Sequence, residues 1–213
     1  MAEALMVEGE GRSERKRRAI IDAATEIFLR NGYPGTSMDE IAAQAAVSKQ
    51  TVYKQFASKE ALFVTIITGM TSVAGDEVQR EIADLGDKDD VEARLLAYAE
   101  RQLIVVLTPR LMQLRRLIIA EANRFPELGA ALDRGGPSRA VAGLAIAFAR
   151  WAGRGLLAID DARVAASQFN WLVMGDPVNR VMMLGDSAIP DQATLRRHAA
   201  EAVRAFLAAY RLR

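Results

Sequence analysis

Residues 37–59 read SMDEIAAQAAVSKQTVYKQFASK, and the order of hydroxyls, acids and small side chains in that stretch decides the fold. Ser37 followed three residues later by Glu40 forms a capping box, whose hydroxyl and carboxylate satisfy backbone N–H groups at a helix start. Asp39 and Glu40 also suit the positive end of the helix dipole. Met38, Ile41, Ala42 and Ala45 give this helix a narrow apolar stripe of about two turns. Ala46-Val47 makes a tight corner, and Ser48 caps a second short helix from Lys49 to Phe56. Val52 and Phe56 face inward there, leaving Lys49, Gln50, Thr51, Tyr53 and Lys54 outside. Two short helices around a small-residue corner, the second bearing long polar side chains, make a helix-turn-helix. The small residues let the helices cross closely, and the polar face offers donors to base edges and phosphates.

Upstream, Ile20, Ile21, Ala24, Ile27 and Phe28 recur at spacings of three and four, which predicts an amphipathic helix from Arg15 to Leu29. Asn31-Gly32 stops it and Tyr33-Pro34-Gly35 turns the chain. Arg12, Arg15, Lys16, Arg17 and Arg18 form a basic run before that helix. The run reads either as a phosphate-binding arm or as a solvated helix start. Residues 1–11, with little periodicity, read as a mobile tail.

Downstream, Ser58 caps a long helix carrying Leu62, Phe63, Ile66, Ile67 and Met70. Gly86-Asp87 interrupts the chain, and Asp89-Asp90 caps a helix from Val91 to Val106. Pro109 opens another, which bends or breaks at Phe125-Pro126. Gly135-Gly136-Pro137 reads as a loop before an Ala- and Gly-rich helix from Ala140 to Leu157. Asp160-Asp161 caps a helix broken near Gly175-Asp176-Pro177. A loop from Gly185 to Pro190 precedes a final helix from Asp191 to Arg211. Strand-like alternation over five or more residues is missing. The expectation is an all-α chain of about nine helices.

Composition narrows the function. The chain has 213 residues, half of them hydrophobic, with one His and no Cys. Without Cys there are no disulfides, thiolate metal sites or cysteine nucleophiles. A single His removes His-rich zinc sites, and the paired acids at helix starts are explained by capping. The expectation is no catalytic residue, no metal and no cofactor. No P-loop and no GxGxxG strand–helix unit appears. The start of the chain, with Glu3, Glu8 and Glu10, does not read as a signal peptide. No apolar run reaches membrane-spanning length, so the expected location is the cytoplasm, with no membrane partner. Net charge is +1, and four of the five lysines (Lys16, Lys49, Lys54 and Lys59) lie in the first 60 residues.

The stretch IIDAATEIFLRNGYPGTSMDEIAAQAAVSKQTVYKQFASKEALFVTII, within residues 15–67, resembles the N-terminal domain of TetR-type transcriptional regulators. The segment RRLIIAEANRFPELGAALDRGGPSR looks like the C-terminal domain of an AefR-like subgroup. The resemblance implies a homodimeric repressor of bacterial type that reads double-stranded operator DNA and binds a small inducer. It divides the chain into a tail (1–11), a DNA-binding domain (12–57) and a ligand-binding and dimerisation domain (58–213). The dimer would form through the last two helices, roughly Asp161–Leu184 and Asp191–Arg211.

In that frame Gln50 reaches a base edge, Lys49 guanine or phosphate, and Thr51 a phosphate or thymine methyl. Tyr53 and Lys54 set register on the backbone, as do Arg15 and Lys16. Thr36, Ser37 and Lys59 either bind phosphate or merely cap and solvate helix starts. An effector cavity is expected among Phe63, Ile67, Met70, Tyr98, Leu103 and Leu114. Further along the chain Ile118, Phe148, Trp151 and Phe169 are added, each open to the plainer reading of core. Gln102, Gln113, Glu121 and Asn123 are the candidates to orient a ligand. These stripes are mostly aliphatic and aromatic, which favours an apolar effector, fatty-acid-like, over a sugar or nucleotide. Trp171, Leu172, Val173 and Val178, with Val203, Phe206 and Leu207, are the expected dimer face, with intrasubunit core the alternative. His198, near the start of the last helix, reads as exposed. Two other functions compete: a DNA-binding regulator or activator without an effector, and, remotely, a helical lipid carrier.

Overall fold

A computed structural model describes residues 11–83, 85 and 90–211. The tail reading falls outside these apart from Gly11, as do Gly86-Asp87 and Asp89. The described residues form helices joined by turns and short loops, with no strand among them. They form ten α-helices where about nine were expected, because Phe125-Pro126 is a full break. The chain divides into two compact units, residues 1–67 and 68–213.

The first unit holds α1 (Arg12–Asn31), α2 (Met38–Gln44), α3 (Lys49–Gln55) and the first turns of α4 (Lys59–Ala83). Both capping serines act as the sequence implies. Ser37 accepts from the Glu40 amide and Ser48 from the Thr51 amide, each at 3.1 Å. The return half of the capping box is diverted: the Glu40 carboxylate takes Asn31 at 3.2 Å and Arg30 at 3.3 Å instead. Ile20, Ile27, Ile41, Val52, Leu62 and Phe63 are fully buried. Phe63 sits 4.9 Å from Phe28 and 4.8 Å from Tyr33, ring to ring. These contacts carry the unit past Ser58 into α4, so its limit lies ten residues later than the sequence suggested. At the corner, Ala46 adopts φ +52°, a left-handed conformation normally left to glycine.

The second unit holds the rest of α4, α5 (Val91–Val106), α6 (Pro109–Ala120), α7 (Pro126–Gly135), α8 (Pro137–Gly153), α9 (Ala162–Leu184) and α10 (Gln192–Tyr210). Its centre is aromatic: Phe148 lies 5.1 Å from Phe206 and 5.9 Å from Trp151, and Phe169 lies 5.0 Å from Phe206. The expected loop at Gly135-Gly136-Pro137 shrinks to Gly136 alone. Gly135 approaches α4 so closely that a Cβ there would meet Thr71 at 2.9 Å.

The expected break near Pro177 does not occur; α9 runs through it. Proline has no N–H, so the Val173 carbonyl loses its regular i+4 partner. The His198 ring on α10 supplies a substitute, its Nε2 donating to that carbonyl at 2.8 Å. His198 is therefore half-buried rather than exposed. Helix α4 has the length and hydropathy (1.3) of a membrane span. Six of its apolar residues are instead buried within the units, Leu62, Phe63, Ile66 and Ile67 in the first and Val78 and Ile82 in the second, while Val73 is exposed.

Candidate functional site

Helix α3 presents Lys49, Gln50, Tyr53 and Lys54 on one exposed face, because residues spaced by one and four share a side of a helix. Val52 on the opposite side is fully buried and holds the helix down. Gln50 and Lys54 make no hydrogen bond among the described residues. Lys49 is paired with Asp39 at 2.7 Å, linking the first turns of α2 and α3. The hydrogen bond and charge of Asp39 raise the Lys49 ammonium above its ordinary value. Thr51 is half-buried, its hydroxyl 2.8 Å from that of Ser48.

The remaining expected DNA contacts divide. Arg15 is exposed and Lys16 half-buried on α1, and Ser37 is exposed at the start of α2. Thr36 is buried, and its hydroxyl donates inward to the Gly32 carbonyl at 2.8 Å. Lys59 donates to the carbonyls of Tyr33 at 2.9 Å and Thr36 at 2.8 Å and lies over the Tyr33 ring. Its ammonium thus fastens the turn after α1 to α4. Arg17, which the sequence left in the basic run, stacks 4.3 Å from the Phe56 ring and donates to the Gln55 carbonyl. Gln55 in turn donates to Ser13 at 2.9 Å. The first turns of α1 therefore brace the end of α3.

The second unit contains a cavity of about 90 Å³. Its wall is mostly apolar and includes Ala74, Val78, Val106, Met112, Ala140, Met174 and Val178. The polar groups on it are Thr71, Gln102, Arg115 and Asn170, with no Asp or Glu among the lining residues. Gln102 donates to the Asn170 side chain at 2.9 Å, while its own Oε1 is buried without a partner. Burial lowers the Arg115 guanidinium from its ordinary value.

Of the expected ligand residues, only Gln102 and Leu114 line this cavity. Phe63 and Ile67 belong to the core of the first unit, and Met70 is half-buried on α4. Tyr98, Leu103, Phe148, Trp151 and Phe169 fill the core of the second unit. The Tyr98 hydroxyl is buried without a partner, and burial raises it well above the usual phenol range. Ile118 is buried and Glu121 half-buried at the end of α6. Gln113 is tied to Asp186 at 2.5 Å. Sequence reading missed Arg115, Thr71 and Asn170, whose inward direction depends on neighbours far along the chain.

The expected dimer residues split in the same way. Val173, Val178, Val203, Phe206 and Leu207 are buried within one subunit's core. Trp171 and Leu172 remain exposed on α9, joined there by Val164, Met183 and Leu184. Trp171 also borders the cavity. Among the described residues no three of His, Asp and Glu cluster as a metal site would.

Two family profiles match the chain. One describes bacterial regulatory proteins of the tetR family and covers residues 20–66. The other describes the C-terminal domain of AefR-like transcriptional repressors and covers residues 93–212. A crystal structure of a TetR-family transcriptional regulator from Mesorhizobium loti is 41% identical, with TM-score 0.86, covering 95% of this chain and 100% of that one. The flavonoid-responsive regulator FrrA is 30% identical with TM-score 0.73, covering 93% and 98%. The uncharacterised HTH-type transcriptional regulator Rv1255c of Mycobacterium tuberculosis is 29% identical over 164 residues, 76% of this chain and 73% of that protein.

Proposed function

The chain belongs to the TetR family of DNA-binding transcriptional regulators, which are not enzymes, and on that footing we propose that it is a ligand-responsive repressor working as a homodimer in the cytoplasm. The observation that carries this reading is the mostly apolar cavity of about 90 Å³, to which α4 contributes Thr71, Ala74, Gly75 and Val78. The same helix contributes Leu62, Phe63, Ile66 and Ile67 to the core of the helix-turn-helix unit. A ligand that moves α4 therefore acts on the helix whose Phe63 packs on Phe28 of α1, and α1 braces the end of α3. The similar regulator FrrA is described as flavonoid-responsive, which supports a small, largely apolar effector here too.

On DNA, Gln50 reads a base edge, while Lys49, Tyr53 and Lys54 fix register on the backbone, with Arg15, Lys16, Ser37 and Thr51 beside them. The inward Thr36 hydroxyl and the engaged Lys59 make these two builders of the surface rather than contacts. The dimer forms through α9, whose exposed Val164, Trp171, Leu172, Met183 and Leu184 need cover. A twofold dimer reads a near-palindrome with half-sites one or more helical turns apart.

Selection of duplexes from a random pool tests this. The expected product is a near-palindrome bound by one dimer, with affinity falling steeply as salt rises. Recovery of duplexes without a repeated half-site would overturn the dimeric reading. An affinity unchanged by any cavity-binding compound would overturn the ligand response.

A further inference from the structure

Helix α6 carries two adjacent arginines with opposite fates. Arg116 forms an ion pair with Asp186 and donates to the Val181 carbonyl at 3.2 Å. Arg115, one residue earlier, points to a different side of the helix and lines the cavity. It is half-buried, and its guanidinium has no ion pair or hydrogen bond among the described residues. A guanidinium stays charged at any physiological pH. A charge partly removed from water with no counter-ion is unfavourable until an anion arrives.

Two further features favour an anion-bearing guest. The cavity wall contains no Asp or Glu to oppose one. Helix α8 (17 residues) begins at the wall, where Gly136, Pro137 and Ala140 line it, and no side chain caps its N-terminus. Such an end carries partial positive charge. Gln102, only 4% exposed, has an Oε1 with no donor; this acceptor calls for a hydroxyl or N–H on the guest and is not met by a carboxylate.

We propose that the cavity takes an amphipathic organic acid, its apolar body among Val78, Val106, Met112 and Met174 and its carboxylate paired with Arg115. This rests on the ligand-responsive reading above and names the chemical class of that ligand. A forked guanidinium holds a carboxylate through two parallel hydrogen bonds, a geometry an amide or alcohol cannot match. A volume of about 90 Å³ is about six to nine water-sized sites, which restricts the guest to a small acid.

Matched probes test the proposal on the full chain. Octanoate and octanamide have the same heavy-atom skeleton, as do 3-phenylpropionate and 3-phenylpropanamide, so each pair isolates the charge. Calorimetric titration is expected to show each acid binding about tenfold or more tighter than its amide. The Arg115→Met variant is expected to lose that preference while keeping the weak affinity for the amides, and Arg115→Lys to restore part of it. Amide affinity retained in Arg115→Met shows that the variant is folded and its cavity intact. Equal binding of acid and amide, an acid preference that survives Arg115→Met, or no binding of any of the four probes would each overturn the proposal. The operator-binding readout separates this from the broader reading. Acids that bind selectively without changing DNA affinity refute ligand response but not the acid site. A neutral probe that releases DNA while acid and amide bind alike refutes the acid site but not ligand response.

Discussion

The bond between His198 and the Val173 carbonyl predicts a specific dependence between two positions on different helices. Pro177 leaves that carbonyl without its helical donor, and His198 Nε2 replaces it at 2.8 Å. Val173 is fully buried, so its carbonyl is shielded from water while the ring is in place. Removing one partner of a buried hydrogen bond costs about 1–3 kcal/mol, because the other keeps its desolvation penalty. His198→Ala is therefore expected to destabilise by about 2 kcal/mol, equal to a fall in Tm of about 4–8 °C for a chain of this size. Pro177→Ala restores an N–H four residues after Val173 and gives the carbonyl its ordinary donor. In that background His198→Ala should cost at least about 1 kcal/mol less, since only its packing is lost. Urea denaturation of the four proteins at one fixed protomer concentration measures the coupling. Equal costs in both backgrounds, within about 0.5 kcal/mol, would refute the claim that the imidazole stands in for the missing amide.

Four further outcomes follow from the geometry. Lys54→Ala should weaken binding to all duplexes and lower the salt slope by about one unit per subunit, whereas Gln50→Ala should relax preference at one base position of each half-site; titrations at several salt concentrations separate the two. Ala46→Gly should be neutral to about 1 kcal/mol stabilising in urea, because relief of the left-handed strain at φ +52° outweighs the added freedom of the unfolded chain, while Ala46→Val should destabilise. Gly75→Ala should destabilise by about 1–3 kcal/mol, since its methyl would fall against the Gly135 carbonyl oxygen; wild-type stability by thermal melting would show that α4 and α7 are less close than described. The hydrogen bond from Arg116 holds Asp186 below its ordinary 3.8. A depressed native value adds stability above the unfolded value and loses it as pH falls through the native one, so acid melts of Asp186→Asn should lack the part of the decline that begins below about pH 5.

What the sequence disclosed was local. Ser37 and Ser48 each cap a helix through an amide three residues away, and Val52 is buried while its neighbours on α3 are not. Those relations need only a few consecutive residues, so the helix-turn-helix was legible down to the side chains on its outer face. The family likeness of residues 115–139 likewise placed the second unit among AefR-like C-terminal domains, but it did not say which residues line a cavity. Phe148, Trp151 and Phe169 have the same helical spacing whether they surround a ligand or one another. Only the packing of α8, α9 and α10 decides it, and there they surround one another.

The positions that sequence left open or misjudged share a cause: each is settled by a partner distant in sequence. Pro177 looked like a break because a proline inside a helix leaves an acceptor bare, and nothing nearby offers a donor; the donor comes 25 residues later in the His198 ring. Lys59 reads either as a phosphate contact or as a solvated cation beside a helix start, and what sequence could not show is that carbonyls 26 and 23 residues back hold its ammonium. Arg115 and Arg116 make the argument sharpest, since they are the same residue type side by side on one helix. Asp186 lies 70 residues from Arg116 and takes that charge. Arg115, turned about 100° away by the helical repeat, meets no acid, and a cavity read from its stripes as mostly aliphatic and aromatic acquires a single cationic group.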